Sequence, residues 1–564
     1  MQVQPHIAMA MATALSLLRR SALLGLVLGC VEAVPAPSFD SMFSPGAVLQ
    51  MGEPAAVWGE ADAEAGSVAL SLDGSPVAHA PVRADGTWSV ALPPQPARYN
   101  RTLSVAAVTV DASTAPASTT VVSFGVVVLC SGQSNMAMGV GGRGAYHKPG
   151  KPPFSADNGT AESAASGRFT GKIWFRDDTN DTWIGPKQRW MAVSPQTLPG
   201  FSAVCWYAGK ALFDSSLGSA GTPLGLIAAT WGATPIEYWL PQTNPAQPNV
   251  NPCESDLSQC VPEFPQLGPT NDSSFFAKYV QPLAPYTVSA LVWDQAERDV
   301  KCPRSLAHYA CMEKFLINSW RQVFRSPNLS FVGVQLAGYT GPIISPDREH
   351  RSMISAEMVF QMRLKQEQGC EGVAGGSCSV VPTYDMSCSA GLAGGCPFGS
   401  VHQPHKATIG ARVGQHLLRS GVAGSAAAAR VADGPRVTGI KVVSIAAAAA
   451  AVGLVRLVAS FSGGSMPFAL KATRNCTSCC DAARGNGHTL DLDASADGVV
   501  FFNATNVQMV PGVAAVSFDV AMSKPPMVVR HTAASIWPQC ALYNAEGMPL
   551  FPFVWNVSST HSTR

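Results

Sequence analysis

Residues 129–136 read "LCSGQSNM", directly behind the apolar run "FGVVVL". Ser134 at that point has two readings. A serine between a strand and a helix ordinarily caps the helix, its hydroxyl accepting an N–H bond from the next turn. Gly132, however, permits a tight strand-to-helix turn that exposes the serine oxygen at a sheet edge, and that geometry suits a nucleophile. The helix N-terminus beyond it adds positive potential for an oxyanion. Met136 stands where a Gly-x-Ser-x-Gly elbow would end in glycine, which disfavours an α/β-hydrolase fold.

Three further stretches carry side chains that fit acyl transfer. In "LIAATWGATPIEYW", Gly232 follows a strand, and its N–H can approach a substrate oxygen with no Cβ in the way. In "LVWDQAERD", Gln295 can donate its amide to the same oxyanion, and Glu297 can bind hydroxyls or organise the site. In "CPFGSVHQPHKATIGARVGQHLL", His402 precedes an amphipathic helix and can act as general base to Ser134, with His405 as a competitor. Taken singly, each fits ordinary loop packing or a surface histidine. The chemistry rests on the combination.

The elements that must position these residues change character along the chain. From Phe39 to about Ser123, short Val/Ala/Leu runs alternate with "DGS" and "ADGT" turns, which predicts a β-sandwich over 37–123. From Phe124 to about 425, runs such as "FGVVVLC", "PLGLIAATW", "VSALVWDQ", "LSFVGVQLAG" and "SCSVVPTYD" read as buried parallel strands. Between them lie helix-like stretches such as "SAVCWYAGKALFDSSL" and "SAEMVFQMRLKQEQ". This alternation predicts a doubly wound α/β domain, with ligands bound beyond the carboxyl ends of its strands. From 429 to 557 the β texture returns, predicting a C-terminal β domain with the alanine run at 446–451 in a loop or at a strand end.

Composition narrows the class. The 564 residues exceed one compact core, and a formal net charge of +1 without a long basic or acidic block removes the electrostatic argument for nucleic acid or an anionic membrane surface. Arg19 and Arg20, a short apolar stretch and small residues at Val31 and Ala33 read as a signal peptide over 1–33, too short to span a bilayer. The expectation is a secreted or lysosome-like luminal protein with no membrane insertion after cleavage. Of 15 cysteines, Cys30 would leave with that segment, and the even remainder, several closely spaced (Cys253 and Cys260, Cys302 and Cys311, Cys370 and Cys378, Cys388 and Cys396), suggests disulfides whose pairing the sequence leaves open. "CTSCC" at 476–480 lacks a second Cys/His pair at zinc spacing, so no metal is assigned. Eight Asn-x-Ser/Thr sequons, at Asn100, Asn158, Asn180, Asn271, Asn328, Asn475, Asn503 and Asn556, point to a glycoprotein.

In order, "LCSGQSNM", "PLGLIAATWGATPIEYW", "VWDQAE", "MRLKQ" and "GSVHQPHK" resemble the sialate O-acetylesterase family of the SGNH-hydrolase group, as do "MFSPGAVLQ" and "LYNAEGMPLFPF" at the two ends. The resemblance implies a flavodoxin-like three-layer SGNH domain flanked by β-sandwiches, and an esterase removing O-acetyl groups from sialic acids without metal or organic cofactor. Carried over residue by residue, it makes Ser134 the nucleophile and His402 the catalytic histidine. It places the N–H groups of Ser134 and Gly232 and the Gln295 amide in the oxyanion hole. Gln133, Asn135, Glu297, Arg363 and Gln366 fall to substrate binding, the arginine suiting a sialic acid carboxylate.

The departures are local. Three residues before the histidine the group commonly has an orienting aspartate, and here that position is Gly399. Asp385 is the substitute expected from a neighbouring strand end, the alternative being a Ser-His dyad with a backbone carbonyl orienting the ring. The usual Trp-Tyr-Gln-Gly-Glu is Trp293-Asp294-Gln295-Ala296-Glu297, and Ala296 strains the turn if the position needs φ > 0. The usual His-Pro is His402-Gln403. Two other readings stay open: an esterase of acetylxylan or another acetylated carbohydrate, and a catalytically weakened glycan-binding homologue.

Overall fold

The computed structural model describes residues 36–108, 117–141, 156–178, 188–242, 253, 274–343, 352–388, 398–424, 434–446, 453–473 and 490–557. The N-terminal segment read as a signal peptide, "CTSCC", the alanine run beyond Ala446 and three sequons (Asn180, Asn271, Asn475) lie outside the described residues.

Seven strands precede the strand that leads to Ser134: β1 (Ser38–Phe39), β2 (Ala47–Gln50), β3 (Ala55–Glu60), β4 (Ser67–Leu72), β5 (Ser75–Pro81), β6 (Thr87–Leu92) and β7 (Arg98–Val108). They form a three-stranded sheet, β1-β3-β6, and a second layer in which β4 pairs with β5 and β7. Val57, Trp88 and Leu92 of the first layer share one buried apolar cluster with Val68, Leu70, Leu103 and Val105 of the second. Strand β4 shows why: Val68, Leu70 and Leu72 are buried and alternate with half-buried neighbours, the period of a pleated strand with one face inward.

Strand β8 (Ala117–Gly132) joins this region to the α/β layer in one unbroken run of 16 residues. Its first half pairs with β7 and β2, and from Val126 onward it lies at the centre of a parallel sheet. The change of texture at Phe124 therefore falls inside a single strand. The sheet continues through β9 (Ile173–Asp177), the short edge strand β10 (Met191–Ala192), β11 (Leu224–Thr230), β12 (Ala290–Asp294), β13 (Ser330–Val334) and β14 (Cys378–Val381), in the order β10-β9-β11-β8-β12-β13-β14. The chain builds β9 and β11 on one side of β8 and β12 to β14 on the other. The strand order thus reverses beside β8, where such sheets open a crevice at their carboxyl ends.

The helices are α1 (Ser134–Ala137), α2 (Gly159–Ala165), α3 (Ala203–Leu212), α4 (Pro303–Val323), α5 (Ala356–Cys370) and α6 (Lys406–Arg419). Val126, Val128 and Cys130 of β8 face α3 and α6, while Val127 and Leu129 face the cluster containing Leu316 and Trp320 of α4 and Val359 and Met362 of α5. Both faces are covered, so the strand reads as a continuous apolar run. Helices α3 and α6 approach closely: a Cβ on Gly410 would stand 2.5 Å from Tyr207 Cβ, and one on Gly414 2.6 Å from Ala211 Cβ. A disulfide from Cys130 to Cys205 ties β8 to α3.

The expected disulfides are present, and the structure supplies the pairing that the sequence left open. Cys370 pairs with Cys378, but Cys253 pairs with Cys311, 58 positions away, and not with Cys260. Spacing alone overlooks partners that the fold brings together from distant segments.

The C-terminal residues form a seven-stranded sheet in the order Arg436–Ala446, Leu454–Ser462, Ala515–Ala521, Phe502–Met509, Leu492–Ser495, Val528–His531, Phe553–Asn556, and Ala469–Ala472 pairs with Cys540–Tyr543. This region meets the α/β layer at a buried polar contact. Arg412 of α6 donates to both carboxylate oxygens of Asp385 at 2.8 and 2.6 Å, and the Tyr543 hydroxyl donates to Asp385 at 2.8 Å.

Candidate active site

The carboxyl ends of β11, β8 and β12 are level, because Thr230 and Asp294 both register with Gly132. At Gly132 φ is +137°, and a Cβ there would stand 2.1 Å from the Asp294 carbonyl oxygen. Only glycine fits this turn. Gln133 N–H then donates to that same carbonyl at 3.0 Å, and Ser134 opens α1. The cap position belongs to Gln133, so Ser134 is not the helix cap. Its Oγ lies instead 2.8 Å from Nε2 of His402. With α1 a single turn, any stabilisation of negative charge comes from individual N–H groups and not from a long helix dipole.

Burial drives the imidazole of His402 down to about 4, with Lys406 and Lys301 adding repulsion and a bond to Phe398 opposing it. The ring is therefore neutral near pH 7, with one nitrogen able to accept a proton. Nδ1 faces the carbonyl oxygen of Phe398 at 3.3 Å. His405 points elsewhere and pairs with Asp157. Asp385 is not the orienting carboxylate expected from the sequence. Both its oxygens are engaged by Arg412 and Tyr543, because the end of β14 is packed under the C-terminal β region.

Two backbone donors stand at the same level of the sheet edge. Since Thr230 and Gly132 are paired, Gly232 and Ser134 lie two residues beyond a common level, and Trp231 N–H holds the strand ends together by donating to Gly132 O at 3.0 Å. Among the described residues, neither the Ser134 nor the Gly232 N–H makes a backbone hydrogen bond. The Gln295 amide departs from expectation. Its Nε2 donates to Thr234 O at 2.9 Å and to the Asp299 carboxyl, while Oε1 accepts from Tyr309. Both amide hydrogens are engaged by buried acceptors, so Gln295 fixes the 232–234 loop and offers nothing to an oxyanion here.

The residues assigned to substrate form a buried scaffold. Glu297 accepts from Gln133 Nε2 on one oxygen and Asn135 Nδ2 on the other. Burial and the neighbouring Asp294 push its carboxyl up to about 7. Asn135 also donates to the Val401 carbonyl at 2.9 Å and accepts from Lys406 Nζ at 2.8 Å. Gln133, Asn135 and Glu297 are buried, and their polar groups are engaged with one another, with Val401 and with Lys406. Arg363 and Gln366 are corrected likewise. Arg363 is fully buried, with Nε on Leu336 O and its guanidinium beside the Tyr384 ring. Gln366 accepts from Leu336 N–H and donates to Val334 O and Gln295 O. Helix α5 packs flat on the sheet, so its inward side chains meet backbone and not solvent.

The Ala296 expectation is met: φ there is +142°, in a region that side-chain-bearing residues rarely adopt. One participant escaped the sequence reading altogether. Lys406, 1% exposed at the start of α6, lies four residues beyond His402 in a non-helical loop, so no helical spacing pointed to it.

Residues 125–369 match the family described as carbohydrate esterase, sialic acid-specific acetylesterase. The rat sialate O-acetylesterase is 31% identical over 235 residues, covering 36% of this chain and 40% of the relative. The human sialate O-acetylesterase is 30% identical over 212 residues, covering 36% of each. The chain thus matches about two fifths of the length of these curated relatives. The crystal structure of a carbohydrate acetylesterase from Xanthomonas citri superposes with a TM-score of 0.65 at 20% identity, covering 92% of this chain and 100% of that one, a likeness of fold. Over residues 125–369, less than half of its length, this chain is similar to the sialic acid-specific acetylesterases among carbohydrate esterases.

Proposed function

We propose that the protein is a serine esterase that hydrolyses O-acetyl esters of sialic acids through an acetyl-Ser134 intermediate. The observation that carries this reading is the 2.8 Å contact between Ser134 Oγ and a neutral His402 at the carboxyl ends of the central strands. His402 Nε2 takes the hydroxyl proton as Oγ attacks the acetyl carbonyl. The N–H groups of Ser134 and Gly232 hold the tetrahedral oxyanion. The sugar oxygen leaves with the proton from His402, and water hydrolyses the acetyl-enzyme by the same route. Oriented by the Phe398 carbonyl, the pair works as a dyad.

The N-terminal β region (37–123), the catalytic domain (124–425) and the C-terminal β region (429–557) are the proposed division of the chain. Export is supported by the leader-like N-terminus, by disulfides, and by the exposure of Asn100, Asn158, Asn328, Asn503 and Asn556.

One observation favours a second substrate class. With Arg363 buried, the arginine assigned to the sialate carboxylate is withdrawn, which admits a neutral acetylated carbohydrate. The deciding experiment assays purified protein on 9-O-acetyl sialic acid, acetylxylan and p-nitrophenyl acetate side by side, with Ser134→Ala as control. The sialate reading expects the highest kcat/KM on the acetylated sialic acid and a loss of at least about 10⁴-fold in the control. A preference for acetylxylan would replace the substrate, and an active control would overturn the mechanism.

A further inference from the structure

Lys406 stands where a lysine is costly. It is 1% exposed, so its ammonium has lost most of its water, and it opens α6, where the exposed N–H groups already present positive potential. A buried lysine in such a place needs compensation, and the partners are specific. Its Nζ donates to Asn135 Oδ1 at 2.8 Å and lies 4.0 Å from Asp294 Oδ2. Asp294 thus adds a second carboxylate, beside Glu297, for the same ammonium.

An asparagine amide is symmetric enough to flip unless its neighbours forbid it. Here a cation claims the oxygen, while the carboxylate of Glu297 and the carbonyl of Val401 claim the nitrogen. Flipped, the amide would set NH2 against ammonium and oxygen against two acceptors. The Nδ2 bond to Val401 O ties the His402 loop to the turn that carries Ser134. Asn135 is therefore the link between nucleophile and base, and Lys406 decides which way round it stands.

We propose that Lys406 is a positioning residue of this site: its ammonium locks the Asn135 amide, and through that amide holds the His402 loop against Ser134. The inference rests on the serine-esterase reading above. It has a second consequence, since the same positive charge disfavours protonation of His402, which also faces Lys301, Ser134 and the Phe398 carbonyl.

The test compares full-length wild type with Lys406→Met, Lys406→Gln and Lys406→Arg. Two readouts are followed from pH 3 to 8: the rate of Ser134 labelling by a fluorophosphonate probe, and acetate release. Lys406→Met is expected to lower both rates about 10- to 100-fold, leave KM nearly unchanged, and move the acid limb upward. Lys406→Gln, which keeps a donor but not the charge, is expected to retain more of the rate while still moving the limb. Lys406→Arg is expected to leave the limb in place. If Lys406→Met does not fold, the Gln and Arg variants carry the same comparison. Wild-type rates in the folded Met variant, or losses with an unmoved limb in both Met and Gln variants, would overturn the proposal. Wild type that labels but releases no acetate would discard the substrate while the labelling still tests Lys406. Wild type that does not label at Ser134 would discard both readings.

Discussion

Ser134 and His402 are 268 positions apart in the chain, yet Oγ of one lies 2.8 Å from Nε2 of the other. Neither residue's own element explains the contact. Ser134 is placed by the Gly132 turn after β8, and His402 by the loop entering α6, which the glycine-lined packing of α6 on α3 holds in position. The Asn135–Val401 bond joins the two sides. Four expectations follow from this arrangement and its surroundings.

On the proposed mechanism, activity requires the neutral form of His402, whose folded value is held at about 4 mainly by burial. Esterase activity should therefore be full through the weakly acidic range and be lost as pH falls through about 4. A profile of kcat/KM from pH 3 to 8 checks this. An acid limb near 6.5, the ordinary histidine value, would show that the ring is solvated in the working enzyme.

Replacing Asp385 by asparagine separates its two candidate roles. As the partner of Arg412 and Tyr543, it should lower stability by about 3–5 kcal/mol, the usual result of breaking a buried ion pair from one side. The kcat of the folded variant should change little, whereas loss of a histidine-orienting aspartate costs about 10⁴-fold. Thermal denaturation and steady-state kinetics on the same preparation distinguish these outcomes.

Ala296, at φ +142°, has a backbone conformation that glycine adopts without penalty. Ala296→Gly should raise stability by roughly 1 kcal/mol, the strain released being partly offset by the greater freedom of glycine in the unfolded chain. A denaturation midpoint that falls in the variant would contradict this.

Arg363, fully buried on α5, should have no bearing on the substrate's charge. Arg363→Met should reduce activity on an acetylated sialic acid and on p-nitrophenyl acetate by the same factor, both following loss of folded protein. A selective loss on the sialate would return the arginine to the substrate.

The expectations that the structure meets are chiefly those that depend on neighbouring residues. The quoted apolar runs became β8, β11, β12, β13 and β14, because a strand covered on both faces must be apolar along its whole length. The strain at Ala296 was legible for the same reason, since backbone conformation is a property of one residue and its neighbours. Also visible was the order of the motifs, with Ser134 and His402 at two of the strand and loop ends.

By itself, then, the chain determined its element types, its strained turn and which residue types gather at the strand ends. Only the tertiary structure decided what those polar side chains face. Asp385 meets Tyr543 from 158 positions away, Asn135 meets Lys406 from 271, and Gln295 meets Thr234 and Asp299 ahead of any ligand. A carboxylate, amide or guanidinium looks the same in sequence whether it serves a substrate or a buried neighbour. Burial removes water from the choice, and each such group must then take the nearest partner that packing supplies.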